Sequence, residues 1–149
     1  MKPLVILLLS FVCLLLIGKY TDSYKSSLFA GNFAMSIMLL FTAMGHFKFK
    51  TSMAAMLPLF IPKKTKIITL TGILEVLFAI GLSLEVTRYY TGLAIILFLL
   101  LILPANIYSA KNKINYENLY KAGPGVKYLW FRIPFQFFLM AWVWYFSVR

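Results

Sequence analysis

The chain has 149 residues, of which 62% are hydrophobic and 13% charged, and its mean hydropathy is +0.86. Soluble domains carry about 25% charged residues and bury only about two-thirds of their chain area at this size, so the composition excludes an ordinary soluble domain, a disordered chain and a disulfide scaffold, and leaves an integral membrane protein of one domain. Fifteen Lys+Arg against four Asp+Glu give +11, but the positives fall between apolar stretches, where topology and anionic headgroups explain them without a nucleic-acid partner.

Five apolar segments follow in order: 3–17, 28–47, 67–84, 91–110 and 128–147. The last four are close to the ~20 residues that cross a ~30 Å hydrocarbon layer as a helix. They are continuously apolar and rich in Leu, Ile and Met, without the alternation of a barrel strand. The first segment is shorter and follows a lysine, as a signal-peptide core does. No A-x-A site follows it; the chain reads Gly18-Lys19-Tyr20-Thr21. Lys19 and Tyr20 can snorkel and lengthen the span, so a retained first helix is expected. The domain reading is therefore 1–27 as an N-terminal transmembrane helix with a short loop, and 28–149 as a four-helix membrane domain.

Basic residues set the expected topology. Lys2, the loop bearing Lys48, Lys50, Lys63, Lys64 and Lys66, and the loop bearing Lys111, Lys113, Lys121 and Lys127 place ten on one side. Lys19, Lys25, Arg88 and Arg149 place four on the other. The bias predicts a cytoplasmic N-terminus and a C-terminus outside. Between the second and third spans, Thr51 is expected to cap a short turn through Met53, Ala54, Ala55, Met56 and Leu57 that Pro58 ends. That segment reads as an interfacial helix, either a lid or an entry point. Gly123-Pro124-Gly125 reads as a turn.

Polar residues inside the spans are the candidate site. Asn32, Ser36, Ala43 and His46 fall on one stripe of the second span. His46 is the one histidine of the chain, which speaks against bis-histidine haem or a zinc site, and no metal is expected. Cys13, the one cysteine, forms no internal disulfide or redox pair. Glu75 lies about eight residues into the third segment, roughly 12 Å deep at ~1.5 Å per residue. Thr71, Gly72 and Ala79 share its face, so a neighbouring helix can come close. A carboxylate at that depth must be protonated or paired, and Arg132 of the fifth span is the expected partner. Such a pair marks a site or merely fixes helix register; both readings stay open. Tyr128, Arg132 and Gln136 form a polar stripe. Pro104 is expected to kink the fourth span, with Asn106 satisfying freed carbonyls or reaching the bundle centre; Pro134 loosens the fifth. His46, Glu75, Asn106, Arg132 and Gln136 are thus expected to converge on one cytoplasm-facing polar pocket. Trp130, Trp142, Trp144 and Tyr145 read as belt anchors.

The run Gly45-His46-Phe47, then Met56-Leu57-Pro58 and Ile61-Pro62, resembles the DoxX-like small membrane proteins. So do Thr71-Gly72-Ile73-Leu74-Glu75, Arg88, Leu103-Pro104-Ala105-Asn106-Ile107-Tyr108, and Arg132-Ile133-Pro134-Phe135-Gln136 followed by Trp142. The resemblance runs from about residue 28 to the end. It implies an all-α bundle in a bacterial inner membrane, with a four-helix core to which the first helix is an addition. Relatives implied by it include a subunit of a thiosulfate:quinone oxidoreductase, a partner in a membrane oxidoreductase complex tied to oxidative stress, and a distant assembly chaperone for a receptor channel. Two functions are therefore expected to compete. One is a pocket for a quinone or similar amphiphile: His46 and Asn106 would bond its carbonyl oxygens, Arg132 would stabilise the anion, Glu75 would donate the proton, and a partner subunit would supply electrons. The other is a non-enzymatic accessory or chaperone protein whose polar cluster only specifies packing. A proton-coupled carrier is disfavoured because no inverted repeat is present.

Overall fold

A computed structural model describes residues 2–20, 26–58, 60–113 and 125–149. The elements are α1 (Lys2–Tyr20), α2 (Ser26–Lys48), the short α3 (Lys50–Ala54), α4 (Lys64–Ser83), α5 (Arg88–Lys111) and α6 (Leu129–Val143). A 3-10 turn, Val126–Tyr128, leads into α6, and a π-helical turn, Trp144–Val148, continues it. The described residues contain no strand. Among them α1, α2, α4 and α5 are each long and apolar enough to cross a membrane. α6 alone is 15 residues; with its π turn the helical path reaches the length expected of a fifth span.

These helices are apolar on every side, which is the pattern of helices whose outer face meets something other than water. Large residues recur at helical spacing on the outside: Val5, Leu9, Val12 and Leu16 on α1, Leu70, Ile73, Leu77 and Ile80 on α4, and Leu93, Leu97, Leu100 and Leu101 on α5. The inside is built from smaller and more polar groups. Ala30, Ala34, Ala43 and Ala79 are buried, as are Asn32, Ser36, Glu75, Asn106, Ser109 and Gln136. Small residues let backbones approach, and buried polar side chains bond across helices.

α2 is the central helix, packed on α1 and most extensively on α4. α5 packs on α4 and α6, and the π turn after α6 returns to α5 and α2, closing the bundle. Ser36 ties the tightest pair, donating to the Ala79 carbonyl at 2.9 Å as well as to Asn32 O in its own helix. α1 is peripheral but joined to the whole: Leu7 is fully buried in the main core, and Phe11 meets Trp142 edge-on at 4.8 Å.

Several expectations change here. The short helix starts at Lys50, right after a one-residue break at Phe49, and no side chain caps it; Thr51 lies inside it. The helix and the turn after it are not spread on an outer surface. Ala54, Met56 and Leu57 are buried, and Ala54 and Leu57 pack with Ile68 of α4 and Ala105 of α5. Lys64 then donates to the Leu57 carbonyl at 3.0 Å, pinning this lid to the start of α4. Trp142 is not a belt residue. Its indole N–H donates to Gly31 O at 3.1 Å and its ring packs among Phe11, Phe138 and Phe146, which ties α6 to α2 and α1. Trp130, Trp144 and Tyr145 do face outward. Of the Gly123-Pro124-Gly125 turn, the first two residues lie outside the described residues, as do Lys25 and Lys121; Gly125 has a positive φ of 70°, which suits glycine in a turn.

Candidate functional site

The end of α2 and the middle of α4 bring two ionisable side chains together. His46 stands two residues before the end of α2, while Glu75 is near the centre of α4. They meet because the first two turns of α4 run past the end of α2 and are covered there by α3. Gly72 is what makes the approach close. A Cβ at that position would lie 2.9 Å from His46 Cβ and 3.3 Å from Phe47 Cζ, nearer than carbon atoms pack without strain.

His46 Nε2 lies 3.4 Å from Glu75 Oε1, and Glu75 is only 6% exposed. Its other oxygen, Oε2, is buried and has no hydrogen-bond partner. On the far side of the imidazole, Nδ1 lies 3.0 Å from Thr71 Oγ1. The Thr71 hydroxyl already donates to Ile68 O at 2.8 Å. Thr71 thus bridges Ile68 O and the imidazole and orients the His46 ring. The chain is therefore Ile68 O, Thr71, His46 and Glu75, linked in that order. Glu75 is answered by a histidine, not by Arg132 as the sequence suggested. The reason is topological: α4 packs on α2, α3 and α5, whereas α6 packs on α5 across the bundle.

Two cavities flank this chain. One, of about 440 Å³, is lined by His46 and Glu75 together with Lys2, Lys48, Phe49 and Met53. The other, of about 390 Å³, is almost wholly apolar; it lies under the α3 lid between α4 and α5, with His46, Thr71 and Asn106 at its edges. His46 and Met53 line both. A volume of this size suits a small ligand.

The five predicted residues do not form one cluster. His46 and Glu75 touch, and Asn106 shares the apolar cavity with His46. Gln136 is buried but borders neither cavity. It binds Asn106, whose Nδ2 donates to Gln136 Oε1 at 3.2 Å, while its own amide donates to Leu99 O. That carbonyl sits next to the turn of α5 that Pro104 disrupts, so this pair clamps α6 to the proline region. Arg132 is half-buried on α6 and also borders neither cavity. The Tyr128 side chain lies outside the described residues. Sequence reading undervalued Thr71, seen only as a neighbour on the Glu75 face; its i, i+4 spacing from Glu75 was the signal available. It also missed that Lys2 and Lys48 rim the cavity.

A second polar node lies at the opposite end. Asn32 Nδ2 donates to Leu28 O at 2.8 Å and to Phe146 O at 2.7 Å, and Ser147 donates to Asn32 Oδ1 at 2.6 Å. Every polar atom of the Asn32 side chain is thereby used, and its role is to hold the π turn.

The class these features define is an all-helical bundle with spans of membrane length and a buried acid met by a half-buried histidine between two cavities. The chain belongs to the family described as a domain of unknown function, DUF8561, which matches residues 35–147. The match takes in most of α2 and all of α3 to α6, and leaves α1 outside. No curated protein and no solved structure matches the chain.

Proposed function

We propose that this is a multi-pass membrane protein whose cytoplasm-side pocket binds a small amphipathic molecule. The observation that carries the reading is the meeting of His46 and Glu75 at the seam of a lysine-rimmed cavity and an apolar one. An amphiphile divides in the same way. Its polar end would sit against His46 and Glu75, and its apolar body would pack under the α3 lid. A quinone is the candidate that the DoxX-like resemblance implies, and it would make the protein a component of a membrane oxidoreductase complex. The second amide N–H of Asn106 would then bond a carbonyl oxygen, while both ring nitrogens of His46 stay turned to Thr71 and Glu75. Arg132 has no part at this end, because α6 borders neither cavity.

The resemblance also favours a bacterial inner membrane and a four-helix core with α1 added. The lysines support the orientation: Lys2, Lys48, Lys50, Lys63, Lys64 and Lys111 all lie at the start or end of helices on the pocket's side, so that side would face the cytoplasm.

The test is extraction of the protein, purified in mild detergent, followed by mass spectrometry of the organic phase. A quinone or other amphiphile enriched over a mock-purified membrane, and lost in Glu75→Gln while the protein remains folded, is the expected result. No enrichment, with Glu75→Gln lowering only stability, would leave the accessory or assembly-chaperone reading. One observation favours that second reading: Asn32, Ser36, Asn106 and Gln136 all spend hydrogen bonds inside the fold.

A further inference from the structure

We infer that the group seated against Glu75 is a neutral hydroxyl carried on an apolar body, and that the site selects it over an ether of the same shape. The inference rests on the amphiphile pocket and adds the chemistry of the head group.

It follows from the two oxygens of the Glu75 carboxyl. Glu75 Oε1 lies 3.4 Å from His46 Nε2, and the other ring nitrogen of His46 is 3.0 Å from Thr71 Oγ1, so the histidine has nothing left to offer Oε2. Oε2 is buried without a hydrogen-bond partner, and a carboxylate oxygen is an acceptor. A buried acceptor with no partner is destabilising, so the site lacks a donor, not an acceptor.

The surroundings narrow the donor. Thr42, on the cavity wall, already gives its hydrogen to Leu39 O at 2.9 Å. Lys2 and Lys48 stand on the same wall and disfavour a cationic head. A neutral O–H is the donor that remains compatible. Glu75 lines the cavity, and the last torsion of a glutamate is soft, so its carboxyl can turn to meet a donor there. Phe41, Met44, Phe49 and Met53 line the rest of that space and would receive the apolar body.

The experiment uses the full-length protein in nanodiscs with 4-heptylphenol and its methyl ether, 4-heptylanisole, measured by equilibrium dialysis against empty nanodiscs. The expected result is at least tenfold tighter binding of the phenol, with the preference reduced at least threefold by Glu75→Leu. Equal binding of the two probes overturns the hydroxyl inference and leaves the pocket standing. Binding of neither overturns both, with water as the natural partner of Oε2. A preference unchanged in Glu75→Leu places the hydroxyl elsewhere and also overturns the inference. Should Glu75→Leu fail to fold, Gly45→Leu serves instead. A Cβ at Gly45 meets only the tip of Met53, at 3.6 Å, so the variant should fold, fill the cavity and remove binding of both probes. Retained phenol binding there sinks the site.

Discussion

Gly72→Ala separates helix propensity from helix approach. Alanine is about 1 kcal/mol better than glycine within a helix, so on propensity alone the change stabilises α4. The structure opposes this. The new Cβ would lie 2.9 Å from His46 Cβ and 3.3 Å from Phe47 Cζ, against an ordinary carbon contact of about 3.5–4.0 Å. The exposed Phe47 ring can turn aside, but His46 Cβ is fixed to its backbone, so α2 and α4 must part by roughly 0.6 to 1 Å at this level. Overpacking of this kind costs about 1–3 kcal/mol, so the net effect is a loss of about 0–2 kcal/mol. The consequence at the site is larger, because parting the helices stretches the His46–Glu75 contact from 3.4 Å toward or beyond ion-pair reach. Unfolding in mixed detergent and SDS micelles gives the stability, and probe binding gives the site. Gly45→Ala is the control. Its Cβ meets only the flexible tip of Met53 at 3.6 Å, so it should be neutral or stabilising by up to about 1 kcal/mol. If Gly72→Ala stabilises as much as Gly45→Ala and leaves binding intact, α2 and α4 do not approach as described.

Other perturbations bear on separate parts of the fold. Asn32→Leu removes the bonds to Phe146 O and from Ser147; with intramembrane bonds worth about 0.6–1.7 kcal/mol each, a loss of about 1–3 kcal/mol is expected, read by the same unfolding assay. A double-mutant cycle between Glu75→Gln and His46→Phe should give a coupling above about 0.5 kcal/mol, whereas Glu75→Gln with Arg132→Gln should add within that margin; coupling to Arg132 instead would reverse the assignment of the partner. In a Cys13→Ser background, Val86→Cys in intact cells should react with a membrane-impermeant maleimide and Asn112→Cys should not, since the two lie at opposite ends of α5. The opposite labelling pattern would invert the proposed topology.

Composition and apolar runs determined the helices. The segments read at 28–47 and 91–110 lie inside α2 and α5, and that at 67–84 runs one residue past the end of α4, because a long continuous apolar run has few other backbone solutions. The sequence also marked the small face around Gly72 and the stripe of buried Asn32, Ser36 and Ala43 that ends at half-buried His46, since both depend on helical spacing within one element. Pairings between elements were not legible. Glu75 sits midway along α4 and His46 at the end of α2, so depth counted along each helix separately keeps them apart; only the overhang of α4 beneath α3 aligns them. Arg132 matched Glu75 in charge, and charge complementarity says nothing about which helices are neighbours. The tertiary arrangement decided that α6 lies across α5, and with it that a histidine faces the acid. Local periodicity is a property of one backbone, whereas contact between helices depends on their order around the bundle and their relative stagger, neither of which is written in any single segment.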